Sequence, residues 1–328
     1  QRVGDLIGGA ALGAASSQVL AVDTTSVNFY QLCDAAIRAR PSCTKVISDT
    51  ANFPTDRYIL EGLCERHGKQ LVLIDDESGE GYVTPEMLAA YVDDDTALVT
   101  LSVVQYRSGA LHDVRELTRI THASGALIVW DASHAVGVVD LQLDRDDVDL
   151  AVGCTYKFLN GGPGAPAWTY VSENLHSQIQ QPIKGWFAQK DQFAMEMPFA
   201  PHDDIRRVLL GTPHILSLIA AEEGIALSER VGMKHIAAKG QALTAFAMQV
   251  VDHFGLTTST PRDPQRRGCH IAISHPRASQ LVADLATHHK VLADVRPPDI
   301  VRLGLSPLTT RFTDVWDGLQ RLSHLING

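Results

Sequence analysis

The sequence predicts an α/β fold, with a large domain on a mostly parallel sheet followed by a smaller C-terminal α+β domain. Three observations carry this expectation. Short, nearly continuous apolar runs recur through the first two thirds, the pattern of strands buried on both faces. Helical stretches with recognisable start and stop residues separate them, so strand and helix alternate. After about residue 205 the alternation gives way to two long helical stretches and then a few short elements. The expected division is 1–210 for the large domain, and 211–328 for a linking helix plus the small domain.

In chain order, Gln1-Arg2-Val3-Gly4-Asp5-Leu6-Ile7 reads as the interior of an amphipathic helix. It has no Met and no leader pattern, so a segment is expected before Gln1. Asp23-Thr24-Thr25-Ser26 supplies capping groups for a helix over 27–38. Apolar, β-rich runs at 45–48, 71–74, 98–101, 128–130 and 150–152 are the strands of the sheet. Between them, Thr84-Pro85-Glu86 reads as a cap, a first-turn proline and a first-turn acid. Gly68 and Gly125 sit where helices would stop. Further on, helices are expected over 213–230 and 235–253, then a strand at 270–273 and a helix near 278–287. A strand at 300–303 and a last helix from about 313 complete the chain.

Composition narrows the function classes. A chain of 328 residues, 45% of them hydrophobic, can bury one large core or two ordinary ones. A net charge of -10 and no long Lys/Arg block argue against nucleic acid or an acidic membrane surface as partner. No apolar run approaches the roughly 18 residues of a membrane span. Cys33, Cys43, Cys64, Cys154 and Cys269 are scattered, with no CxxC pair and no Cys/His metal spacing. Reduced thiols in a cytoplasmic protein without a metal site are the simplest reading.

Chemistry concentrates at two strand ends. The run Ala126-Leu127-Ile128-Val129-Trp130 ends in Asp131, with His134 three residues on. The next strand leads into Tyr156-Lys157-Phe158-Leu159-Asn160-Gly161-Gly162-Pro163-Gly164. An acid ending one strand and a lysine ending the next suit pyridoxal 5'-phosphate. The amine forms a Schiff base with the aldehyde, and the acid keeps the pyridine nitrogen protonated. Ligands of such sheets bind at the carboxyl ends of the strands. A surface lysine is the bland alternative, but a plain loop does not need Tyr156, Phe158 and the glycine-rich tail together. Asp131 could also be a strand-end cap, and His134 a satisfied core histidine. The helix start at Thr25 and Ser26 offers amides and hydroxyls to a phosphate, although ordinary capping looks identical. Phe53, in the loop Phe53-Pro54-Thr55-Asp56, could stack on an aromatic ring or staple its helix. Arg302 lies inside an apolar strand, where a substrate carboxylate or a structural ion pair would satisfy it.

Several segments resemble the kynureninase family. They are Asn52-Phe53-Pro54-Thr55-Asp56, Gln105-Tyr106-Arg107-Ser108-Gly109, Asp131-Ala132-Ser133-His134-Ala135-Val136-Gly137, the block 153–164, Gly185-Trp186-Phe187 and Arg302-Leu303-Gly304-Leu305-Ser306-Pro307-Leu308. The resemblance runs through the whole chain in order, and only the family's N-terminal segment has no counterpart. It implies fold type I of the pyridoxal-phosphate enzymes. It implies that Lys157 carries the cofactor, with Asp131 at the pyridine nitrogen, His134 beside it and Phe53 stacked on the ring. Thr25, Ser26, Asp56, Ser102 and Tyr156 would hold cofactor and phosphate. Trp186 and Thr212 would reach the cofactor of the neighbouring subunit of a homodimer. Arg302 would grip the substrate carboxylate, and Tyr156 would donate or relay a proton. The implied reaction is hydrolytic cleavage of the Cβ–Cγ bond of L-kynurenine to anthranilate and L-alanine, a step of tryptophan catabolism. Thr212, where animal members preferring 3-hydroxykynurenine carry Asn, favours the unsubstituted substrate. A ring-substituted kynurenine in a biosynthetic pathway stays open. So does a cysteine desulfurase or aminotransferase of the same fold, though the late Cys269 falls in an expected strand rather than a mobile loop. A third reading is a non-catalytic relative, against which the intact Lys157, Asp131 and Arg302 argue.

Overall fold

The computed structural model describes residues 1–76 and 81–327. Seven strands form one sheet: β1 (Val19–Ala21), β2 (Lys45–Asp49), β3 (Gln70–Ile74), β4 (Thr96–Ser102), β5 (Leu127–Asp131), β6 (Leu150–Cys154) and β7 (Ala167–Val171). Their order is β1-β7-β6-β5-β4-β2-β3. Pairings from β3 through β6 are parallel, and β7 is antiparallel to both β6 and β1. The helices of this part are α1 (Arg2–Ile7), α2 (Thr25–Ala39), α3 (Pro54–His67), α4 (Pro85–Ala89) and α5 (Val114–Ala123). Two long helices follow, α6 (Ile215–Val231) and α7 (Met233–His253). A second, antiparallel sheet has the order β8-β10-β9, from β8 (His270–Ser274), β9 (Asp294–Arg296) and β10 (Ile300–Gly304). Helices α8 (Ala278–His288) and α9 (Phe312–Asn327) cover it.

Side-chain alternation explains why the large sheet needs layers on both faces. Along β4 and β5, Val99, Leu101, Ile128 and Trp130 join one core cluster, with Ile225 of α6 and Ile236 of α7. Their neighbours Leu98, Leu127 and Val129 join another, with Phe29 and Leu32 of α2 and Leu60 and Leu63 of α3. Every residue of β4, β5, β6 and β7 is buried, so the nearly continuous apolar runs follow from burial on both sides.

Several boundaries differ from the sequence expectation. Helix α2 begins at Thr25 rather than at residue 27, because Thr24 is the cap and its side chain accepts from the Val27 amide. Thr25 and Ser26 thus belong to the first turn. Strands β1, β7 and β9 were not expected. β1 and β9 are three residues each, too short for a periodic signal, and β9 has charged residues at both ends. β7, Ala-Trp-Thr-Tyr-Val, did carry β-favouring residues. Gly232, at φ +83°, separates α6 from α7, where an L side chain would be strained. No described helix is long and apolar enough to cross a membrane.

Candidate active site

The carboxyl ends of the parallel strands lie side by side. Ser102 and Asp131 are register partners across β4 and β5, and Asp131 partners Val152 across β5 and β6. Asp131 closes its strand with only 6% exposure, and its Oδ1 accepts from the Ser133 amide at 2.8 Å. The chain then turns, the Ala135 and Val136 amides donating to the Ala132 carbonyl, which carries His134 into the interior.

Lys157 lies three residues beyond the end of β6 rather than at it, in a turn closed by the Asn160 amide on the Lys157 carbonyl. Gly137 presses on this turn. At φ +85°, a Cβ there would meet the Phe158 carbonyl group at 2.9 Å, so the two loops touch backbone to backbone. Lys157 Nζ is 3.2 Å from His134 Nε2 and 3.5 Å from Nδ1. An ammonium only donates, so the histidine must offer a lone pair. Burial first, then the Lys157 charge, holds His134 well below the usual imidazole range, which keeps it neutral.

Asp56 enters from the first turn of α3. It is 3% exposed, and its Oδ2 is buried with no hydrogen-bond partner. Burial, then the facing Asp131 carboxylate, pushes Asp56 well above the ordinary carboxyl range, while Lys157 pulls the other way. Two close carboxyls cannot both ionise cheaply, which adds to the burial that raises Asp56.

The Phe53 loop rests on a buried polar network. Asn52 Oδ1 accepts from the Phe53 amide and from Ser102 Oγ, both at 2.8 Å, and Asn52 Nδ2 donates to Ser48 Oγ at 3.0 Å. Gln105 donates to Asp49 Oδ1 at 3.1 Å, and burial raises Asp49 to about 7. Phe53 meets Tyr106 edge-on at 5.3 Å. At the start of α2, Thr25 Oγ1 is buried without a partner and Ser26 is exposed. Tyr156 is half exposed and lines a cavity of about 560 Å³ with Asp23, Thr24, Gly162 and His214. Burial, then the Cys154 thiol, pushes Tyr156 up to about 12, so it keeps its proton at neutral pH.

Arg302 projects from β10 with 8% exposure. Its Nε and Nη2 donate to Asp294 at 2.8 and 2.6 Å, and Nη1 donates to the Tyr106 carbonyl at 2.6 Å. Nη1 also lies 3.2 Å from His134 Nε2, which joins Arg302 to the lysine cluster. Trp186 packs edge-on against Phe187 and Phe193. Thr212 lines a separate cavity of about 360 Å³ with Leu20, Phe187, Leu210 and Ile215. Among the described residues, neither Trp186 nor Thr212 makes a hydrogen bond or ring contact with Lys157, Asp131 or His134.

Sequence reasoning missed four contributors: Asp49, Asp294, His112 and His270. Asp49 ends β2 as Asp131 ends β5, so the same strand-end acid was visible. Buried His270 stands edge-on to His134 at 5.8 Å. His112 accepts the Val83 amide at 2.8 Å, with its Nδ1 2.6 Å from the Ser102 carbonyl. Cys269 is buried in contact with the Leu305 carbonyl, and burial raises its thiol to about 12. It is a buried thiol at a strand edge of the small domain rather than an exposed loop thiolate, which removes the feature a desulfurase needs. Among the described residues no cluster of His, Cys, Asp and Glu could hold a metal ion.

Residues 236–322 match the kynureninase C-terminal domain. The kynureninase of Pseudomonas fluorescens is 38% identical over 326 residues, covering 96% of this chain and 76% of that protein. Among solved structures, the apo cysteine desulfurase of Thermococcus onnurineus NA1 superposes with a TM-score of 0.87 at 18% identity, covering 100% of this chain and 83% of that one. A variant of the C-DES protein with glycine covalently linked to its PLP cofactor superposes with a TM-score of 0.85 at 14% identity, covering 98% and 86%. At such low identity these two speak for the fold alone, which is fold type I of the pyridoxal-phosphate enzymes. With 38% identity along nearly its whole length, the chain belongs to the kynureninase family.

Proposed function

We propose that this protein is a pyridoxal-phosphate-dependent hydrolase that cleaves the Cβ–Cγ bond of L-kynurenine to anthranilate and L-alanine. The observation that carries the reading is the Lys157 amine, held beside neutral His134 and the Asp56–Asp131 pair at the carboxyl end of a parallel sheet. The donor set fits pyridoxal phosphate. The partnerless Oδ2 of Asp56 and Oγ1 of Thr25 are buried polar atoms in want of a ligand. Lys157 would hold the aldehyde carbon, Asp131 the pyridine nitrogen, and His134 and Phe53 the ring. Thr25 and Ser26, in the first turn of α2, would receive the phosphate with Asp56, Ser102 and Tyr156 nearby. When bound, the cofactor supplies a protonated ring that stores the electron pair released at the substrate Cα.

The chain's own groups do the rest. Arg302 binds the substrate carboxylate. Lys157 would carry the proton to and from the substrate Cα. Tyr156 holds a proton at neutral pH and can donate it as the carbon–carbon bond breaks. Trp186 and Thr212 of a second copy complete the site in a homodimer. Their exposure supports this, with Trp186 44% exposed and Thr212 exposed as well. The two separate sheets support a division into a cofactor-holding domain, 1–210, and a linking helix plus smaller domain, 211–328. Cytoplasmic placement is part of the same proposal, supported by five free cysteines.

An anthranilate fluorescence assay tests the reading, with L-kynurenine, 3-hydroxykynurenine and methylated kynurenines supplied in parallel to the pyridoxal-phosphate-loaded protein. Preferential turnover of L-kynurenine supports it. Turnover of a substituted analogue alone would keep the mechanism and move the enzyme to a biosynthetic role. No turnover by the loaded protein would refute it.

A further inference from the structure

Arg302 is engaged in a manner that a bare carboxylate-binding arginine would not be. A guanidinium has five N–H groups. Nε–H and one hydrogen of Nη2 go to the two oxygens of Asp294, at 2.8 and 2.6 Å. Nη1 serves the Tyr106 carbonyl at 2.6 Å and His134 Nε2 at 3.2 Å. The side edge of the guanidinium, formed by Nε and Nη2, is therefore closed to a substrate.

This arrangement is built into the sheet. Arg302 and Asp294 are direct register partners across β10 and β9. Two parallel hydrogen bonds from a directly opposite residue fix the plane of the guanidinium as well as its place. Arg296 lies two residues along β9 and so projects to the same face. Its Nη2 donates to Asp294 Oδ2 at 3.0 Å. Its Nε is buried without a hydrogen-bond partner. Burial and the nearby Arg302 charge act together to lower Arg296 below the usual arginine range. Two guanidiniums thus share one carboxylate, leaving one positive charge and an unpaired buried donor beside the lysine cluster.

We propose that Asp294 is a positioning residue for substrate recognition. It locks the side edge of Arg302 so that the substrate carboxylate is received end-on by Nη1 and Nη2, while Arg296 offsets its charge. On binding, the substrate takes over the Nη1 hydrogen that His134 accepts here, the longest of the four contacts. This inference rests on the kynureninase reading and on Arg302 as the carboxylate site.

The test compares wild type, Asp294→Ala, Asp294→Asn and Arg302→Ala as cofactor-loaded enzymes. Anthranilate production gives kcat and KM for L-kynurenine. The absorbance change of the bound cofactor gives the affinity for the decarboxylated amine, kynuramine, which serves as a carboxylate-free probe. Asp294→Ala is expected to raise KM by roughly tenfold, the equivalent of about one charge-assisted hydrogen bond, with kcat little changed. Asp294→Asn, which keeps one acceptor oxygen, falls between. Kynuramine affinity stays the same in all variants, which a general loss of structure would not allow. An unchanged or lowered KM in Asp294→Ala overturns the proposal, and so does an equal loss for both ligands. An unchanged KM in Arg302→Ala overturns the underlying carboxylate reading as well. A raised KM in Arg302→Ala with none in Asp294→Ala overturns the positioning role alone.

Discussion

Acidifying the protein should expose His112 as a strut beneath the site. His112 is 2% exposed and joins two segments. Its Nε2 accepts the Val83 amide at 2.8 Å, so the ring is neutral and its Nδ1–H donates to the Ser102 carbonyl at 2.6 Å. Ser102 is the last residue of β4 and supports the Phe53 loop through Asn52. Burial lowers His112 from 6.5 to about 4. A depressed histidine contributes stability that is fully present above its unfolded pKa and is lost as the pH falls toward the folded one. From about pH 7.5 to about pH 5 the loss spans roughly 1.5 pH units, or about 2 kcal/mol. At about 2.1 cal/mol/K per residue, a chain of 328 residues has an unfolding entropy of about 0.7 kcal/mol/K, so the loss equals about 3 °C in Tm. The raw pH curve is not the readout, because Asp49 works in the other direction. Its carboxyl is raised to about 7, so acidification relieves an unfavourable buried charge. The measurement is therefore the difference between wild type and His112→Gln. The glutamine keeps an acceptor for Val83 but does not titrate. Thermal unfolding of both at the two pH values should show wild type losing about 3 °C more than the variant. Equal losses in the two proteins would refute the buried neutral strut.

Three further outcomes are expected. His122 is held between Asp149 at 2.9 Å and Asp147 at 3.4 Å, and the Asp149 hydrogen bond, followed by the charges of both, raises it above 6.5. Its contribution is present below pH 6.5 and fades as the pH rises through the raised value, so His122→Gln should flatten the alkaline fall in Tm; an unaltered slope would count against the clamp. Lys157→Ala should fold with a wild-type circular dichroism spectrum but lose anthranilate production by several orders of magnitude, and retained activity would dismiss the lysine's role. Gly137→Ala should displace the Phe158 backbone, which lies 2.9 Å from the added Cβ, and cut kcat by roughly tenfold or more; wild-type kcat in that variant would show that the contact does not position Lys157.

The large sheet was legible because burial on both faces writes a long signal. The apolar runs ending at Asp131 and Cys154 located two strand ends, and the acid and the lysine beyond them pointed to the cofactor chemistry. The resemblance of the block around Lys157 then supplied the family. Local reading failed where structure depends on pairing. β1 and β9 are three-residue edge strands, and the neighbour of β1 lies about 150 residues away in sequence. Asp294 could not be seen as a partner of Arg302, since only the register of β9 against β10 sets them opposite. The structural ion pair weighed for Arg302 beside a substrate carboxylate is present along one edge, with Asp294 as the partner the sequence did not name. Asp56 was expected at the site, but the upward push on its carboxyl follows from burial and then from the facing Asp131, a contact between separate strand and helix ends. Trp186 and Thr212 meet Phe187 and the α6 end of the chain, and their expected role needs a second copy.

Lys157 is expected to be the one lysine that carries pyridoxal phosphate. Borohydride reduction of the cofactor-loaded protein, followed by peptide mass spectrometry, tests this without depending on substrate. The expected result is the pyridoxyl mass on the peptide containing Tyr156-Lys157-Phe158, and none on Lys157→Ala. The label on another lysine, or an unlabelled Lys157 in a protein that binds the cofactor, would contradict it.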